Sequence, residues 1–169
     1  YADAYNNMGN VLQDQGKLRE AIEAYNKALS IKPDYAKAYY NMGNVLQDQG
    51  KLREAIEAYN KALSIKPDYA EAHNNLGNVL KEQGKLEEAI EAYYTALSLK
   101  PDDAEVCLNT IELLKISSPK STTSNSLFAI DKKVKEIGNN LLSSSPDKEI
   151  ALNLSDALDC ISEQEFNFK

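Results

Sequence analysis

Along the first two-thirds of the chain, apolar residues recur at helical spacing in short, interrupted runs. Ala2, Tyr5, Met8, Val11 and Leu12 fall on one side of a predicted helix. Gln15-Gly16-Lys17 interrupts the run, and glycine there can take the left-handed backbone that ends a helix. The pattern resumes with Leu18, Ala21, Ile22, Tyr25, Ala28 and Leu29, then stops at Pro33. Proline is excluded from a helix interior but suits the start of a new element. The same two-helix phrase then returns. Residues 1–34 and 35–68 differ only at Asp3/Lys37 and Asn6/Tyr40, and residues 69–102 repeat them with more drift. A fixed period of this size predicts an array of stacked helix pairs. A helix this short is marginal alone in water, and each pair has apolar residues on too many sides to bury by itself; stacking answers both problems.

The recurring positions form a signature. The first unit supplies Tyr5, Met8, Gly9, Leu12, Ala21, Tyr25, Ala28 and Pro33. The second supplies Tyr39, Met42, Gly43, Leu46, Ala55, Tyr59, Ala62 and Pro67, and the third His73, Leu76, Gly77, Leu80, Ala89, Tyr93, Ala96 and Pro101. The small residues let helices approach closely. With these residues the chain resembles the tetratricopeptide repeat family over residues 1–102, with two departures: leucine replaces the second aromatic, and His73 replaces the first aromatic of unit three. The resemblance implies an all-α, right-handed α-solenoid of stacked antiparallel helix pairs, a superhelix whose first helices line a concave groove.

The pattern decays after Asp103. Residues 104–115 still read as a first helix, with Cys107 in the aromatic slot and Ile111 in the glycine slot. Residues 117–126 are polar and read as an inserted loop. A helix is predicted over 127–142 and a terminal helix over 147–163, with Ser145 as its cap and Pro146 in its first turn. The expected organisation is therefore three tandem units (1–34, 35–68, 69–102) followed by a degenerate fourth unit over 104–169. That last unit is either a cap on the array or a linker towards a further domain.

Charge narrows the function classes. The chain carries a formal net charge of -7, and no basic patch or stripe is visible. Nucleic acid and anionic membrane surfaces are disfavoured as partners. Cys107 and Cys160 lie in apolar helical patterns without ligands at metal spacing, which suggests free thiols in a reducing, cytoplasmic setting. No phosphate loop, nucleophile elbow or metal spacing is present, so the expectation is a non-catalytic protein with no cofactor and no metal. His73 is the single histidine and sits in a packing slot.

Given a groove along the first helices, repeat mapping puts Asn7, Asn41 and Asn75 in one row and Asn10, Asn44 and Asn78 in a second. A side-chain amide offers both a donor and an acceptor, so such rows could clamp the C=O and N–H of an extended peptide. The asparagine superhelix of O-linked N-acetylglucosamine transferase looks similar. The same asparagines could equally serve local hydrogen bonding. The groove varies at Asp3, Lys37 and Glu71, and at Asn6, Tyr40 and Asn74; its rim carries Gln13, Gln47 and Lys81 beside Asp14, Asp48 and Glu82. Tyr40 reads as an aromatic anchor or as a solvated variant. Chaperone-binding relatives grip a C-terminal carboxylate with cations, but the matching places here hold Asn6, Asn10, Asn41, Glu71 and Asn75, so that role is disfavoured. Three functions stay open: a scaffold holding a protein or peptide in the groove, the adaptor region of a larger bacterial transferase, and an array that self-associates head to tail without a ligand.

Overall fold

The computed structural model describes residues 1–117 and 125–144, together with Leu152, Ser155 and Leu158. Every element among these residues is helical: α1 (Ala2–Asp14), α2 (Leu18–Ile31), α3 (Ala36–Asp48), α4 (Leu52–Ile65), α5 (Ala70–Glu82), α6 (Leu86–Leu99), α7 (Ala104–Ser117) and α8 (Asn125–Ser144). The all-α fold of antiparallel helix pairs expected from the period is what the chain adopts. It divides into two compact units, Tyr1–Lys85 and Leu86–Lys169.

In the first unit, one glycine follows the end of each of α1, α3 and α5. Gly16, Gly50 and Gly84 have φ of 73°, 70° and 74°. At the first turn, Gly16 N–H donates to the Gln13 carbonyl at 2.8 Å and Lys17 N–H to the Leu12 carbonyl at 2.9 Å. This crossed pair caps the carbonyls that a helix end leaves open, and it recurs after α3 and α5. Helix α2 packs on both α1 and α3, and α4 on both α3 and α5. One cluster joins Ala21, Tyr25 and Val45, with Ile22 and Met42 packed against it. A second joins Leu46, Ala55, Ala58, Tyr59 and Val79. Tyr25 and Tyr59 are fully buried, and the absent side chains of Gly9 and Gly43 make room for their rings.

In the second unit, α7 packs on α6 and α8 on α7. Asp103 caps α7 by accepting from Val106 N–H at 3.1 Å. Ile90, Leu97, Cys107, Ile111, Leu113 and Val134 are buried. Cys107 and Ile111, the residues in the aromatic and glycine slots of the degenerate unit, thus both serve as core. Thr110, also buried, satisfies its hydroxyl on the Val106 carbonyl at 2.7 Å. Two expected bounds need correction. Helix α7 runs to Ser117 and α8 starts at Asn125, so both ends of the expected 117–126 loop are helical. Helix α8 accordingly extends two residues beyond 127–142 at each end. Polar serines and asparagine read as loop, yet a terminal turn tolerates them because its outward groups meet water. Residues 118–124 lie outside the described residues, as do Ser145, Pro146 and most of 147–163; Leu152, Ser155 and Leu158 within that span are helical.

Candidate functional site

The first helices of the first unit, α1, α3 and α5, touch one another in series. Polar side chains bridge them, those of the asparagine rows together with Asn6 and Tyr40. Asn41 Nδ2 donates to Asn6 Oδ1 at 3.0 Å and to Asn10 Oδ1 at 2.9 Å. The Tyr25 hydroxyl donates to the same Asn10 oxygen at 2.9 Å. One repeat further, Asn75 Nδ2 donates to Asn44 Oδ1 at 2.9 Å and to the Tyr40 hydroxyl at 3.2 Å, while Tyr59 donates to Asn44 Oδ1 at 2.8 Å. The two networks superpose position for position. Where the units differ, Tyr40 supplies a phenolic acceptor in place of the Asn6 amide oxygen, so the substitution keeps the bond.

Both amide hydrogens of Asn41 and of Asn75 are thereby spent inside the protein. A two-point grip on a peptide backbone by either residue would first have to exchange these bonds. The oxygens of Asn10 and Asn44 each accept from two donors, but none of these bonds uses their amide nitrogens. Asn7 is exposed, whereas Asn6 and Asn41 are buried. The Nδ2 of Asn6 and the Oδ1 of Asn74 are buried with no partner among the described residues. Asn78 is half-buried.

The rim glutamines also bridge repeats. Gln13 Nε2 donates to Asp48 Oδ2 at 3.1 Å, and Gln47 Nε2 donates to Glu82 Oε1 at 3.0 Å. Lys37 and Lys81 are exposed. The Tyr40 ring packs at 4.8 Å from Tyr69 and 6.1 Å from Tyr59. Sequence reading missed Tyr35 and Tyr69, the residues that precede α3 and α5. The Tyr35 hydroxyl donates to Asp3 Oδ1 at 2.7 Å, and Lys32 and Lys66 lie over the Tyr35 and Tyr69 rings at 4.8 and 4.5 Å. Their recurrence at the head of each unit was the available signal.

These surroundings keep the phenols protonated. Burial, then the charge of Asp14, pushes Tyr25 up to about 12. The hydrogen bond to Asp3 is the main reason Tyr35 rises to about 12, and burial followed by Tyr40 raises Tyr69 to about 12. Burial also raises Tyr59. His73 Nε2 lies 2.9 Å from the Pro67 carbonyl, which only accepts, so that nitrogen carries the proton and the ring ties α5 to the preceding turn. No metal-competent cluster of acidic, histidine or cysteine residues occurs among the described residues, and no helix among them is long and apolar enough to cross a membrane.

Residues 9–50 and 43–84 match the family model described as TPR repeat, and residues 70–103 match the one described as tetratricopeptide repeat. No curated protein matches the chain. Among solved structures, the first TPR of Spaghetti (RPAP3) bound to the HSP90 peptide SRMEEVD is 25% identical, with a TM-score of 0.67 over 70% of this chain and 94% of that one. MamA protein is 23% identical, with a TM-score of 0.70 over 87% and 78%. The O-GlcNAc transferase of Thermobaculum terrenum is 22% identical, with a TM-score of 0.65 over 84% of this chain and only 26% of the enzyme. The last two show the shared fold.

Proposed function

The chain belongs to the tetratricopeptide repeat family, and from that premise we propose that it is a non-catalytic interaction scaffold that holds an extended peptide along α1, α3 and α5. The observation that carries the reading is the serial contact of these three helices through a repeating hydrogen-bonded network. Packed helices advance by about 10 Å per step, roughly three residues of an extended chain. A solved structure with this fold is bound to an HSP90 peptide, which supports peptide binding as a role for the fold.

In this reading the two asparagine rows divide the backbone between them. The unused amide nitrogens of Asn10 and Asn44 donate to peptide carbonyls, and the amide oxygens of Asn41 and Asn75 accept from peptide N–H groups. Exposed Asn7 and Lys37 add contacts that cost the fold nothing. The three helices carry five acids (Asp3, Asp14, Asp48, Glu71 and Glu82) against two lysines (Lys37 and Lys81). This balance favours a neutral or basic peptide over an acidic tail, because carboxylate capture relies on charge-assisted bonds from cations.

An array of ten-residue peptides probed with the purified chain tests the proposal. Neutral or basic sequences should bind, and SRMEEVD should not. Asn7→Ala and Lys37→Ala together should weaken the best hit by about tenfold with melting unchanged. Preference for acidic peptides, or indifference to both substitutions, would overturn the reading.

A further inference from the structure

The charge beside the asparagine rows changes sign from helix to helix. Asp3 lies four and seven residues before Asn7 and Asn10, so the three share one face of α1. Lys37 holds the same place in α3 and Glu71 in α5, and all three charged residues are exposed. This exposure holds in the interior of the array: α3 packs against α2 and α4 and touches α1 and α5, yet Lys37 stays in solvent. Residues 1–34 and 35–68 differ only at Asp3/Lys37 and Asn6/Tyr40, which lie three residues apart and so on one side of the helix. The two differences are linked. The Tyr35 hydroxyl donates to Asp3, whereas Lys37 offers no acceptor to the equivalent Tyr69, whose ring packs against Tyr40 at 4.8 Å instead. Lys37 forms no ion pair or hydrogen bond among the described residues. The Tyr40 hydroxyl accepts from Asn75 but has no acceptor for its own hydrogen among them.

We propose that, with an extended peptide lying along α1, α3 and α5 as above, the preferred sequence carries an acidic residue opposite Lys37 and Tyr40 and a basic residue three positions to either side, opposite Asp3 and Glu71. The spacing follows from helices about 10 Å apart and an extended chain that advances about 3.3 Å per residue. A carboxylate only accepts, and Lys37 and Tyr40 both donate from neighbouring turns of α3. The order base, acid, base reads the same in either chain direction, and its net positive charge suits the acidic excess of the three helices.

Two peptides with blocked termini test this on the 169-residue chain. Each holds three charged residues spaced by serine and threonine, in the order Lys-x-x-Glu-x-x-Lys or Lys-x-x-Lys-x-x-Glu, so composition and net charge are equal. Fluorescence anisotropy should show the first binding at least about threefold more tightly, the scale of one exposed ion pair. Lys37→Glu should reverse the order; Lys37 is exposed, so circular dichroism should show that variant folded. In 1 M salt the difference should vanish for the parent chain, because exposed charges are then screened within about 3 Å. Equal affinity for the two peptides, or an order that survives Lys37→Glu or 1 M salt, would overturn the charge pattern and leave the scaffold reading in place. Binding of neither peptide would overturn both.

Discussion

Replacing Gly43 by alanine probes a close approach between helix backbone and a buried ring in the first unit. A Cβ built there lies 2.6 Å from Cε1 and 2.8 Å from Cδ1 of Tyr59, whose side chain is 0% exposed. Ordinary carbon contacts begin near 3.5 Å, so the ring must retreat by roughly 1 Å. It has little freedom to do so, because its hydroxyl is tied to Asn44 at 2.8 Å and its other surroundings are core. Overpacking of this kind costs about 1–3 kcal/mol, and weakening the Tyr59–Asn44 bond adds about 1 kcal/mol. Alanine returns about 1 kcal/mol through its higher helix propensity. The net expectation is a loss of about 1–3 kcal/mol, read from urea unfolding followed by circular dichroism. Gly138→Ala in α8 supplies the contrast. Its Cβ would meet the flexible end of Leu158 at 3.2 Å, so propensity should offset most of the clash and leave stability within about 1 kcal/mol. A double-mutant cycle sharpens the case: Tyr59→Leu should cost less when Gly43→Ala is present than when it is absent. A Gly43→Ala chain as stable as the parent, or additivity in the cycle, would refute the reasoning.

Three further outcomes are expected. Asn41→Ala removes both cross-repeat bonds and strands the buried Asn6 oxygen, for a loss of about 1–3 kcal/mol, whereas Asn7→Ala should stay within about 0.5 kcal/mol in the same urea assay. In alkali, Tyr25, Tyr35 and Tyr69 hold their protons to about 12 when folded, against an ordinary 10.0. The unfolded chain loses these protons first, so their contribution is intact below pH 10, falls as pH rises, and is gone above about 12; urea midpoints across that window, with tyrosinate absorbance, check the sign. Burial, then Asp103, pushes the Cys107 thiol up to about 12, so mass-resolved labelling at pH 8 should leave it unmodified in native chain and modify it in urea.

Much of the fold was legible because its determinants are local. Helical spacing, a glycine required at positive φ and a proline excluded from the helix interior all act within a few residues. They place α1 to α6 and the three glycine turns without knowledge of the neighbours. The loss of pattern after Asp103 was legible too, although the ends of α7 and α8 were not, since polar residues in a terminal turn leave no apolar period to read. The candidate site was legible as positions but not as chemistry. Sequence aligned Asn41 with Asn7 and Asn75, yet could not say that its two amide hydrogens are taken by Asn6 and Asn10.

By itself, then, the sequence determined the period, the helix pairs, the turns and the small residues that admit Tyr25 and Tyr59. Only tertiary structure decided the partners of the asparagines, which lie 31 and 35 residues away along the chain, and the tilted packing of Tyr40 against Tyr69. It also decided that Val11 is 54% exposed while Val45 is 0% exposed. Those two valines have the same local sequence on either side, so no local rule could separate them. Burial is a property of whatever lies across the interface, and α3 has α2 there.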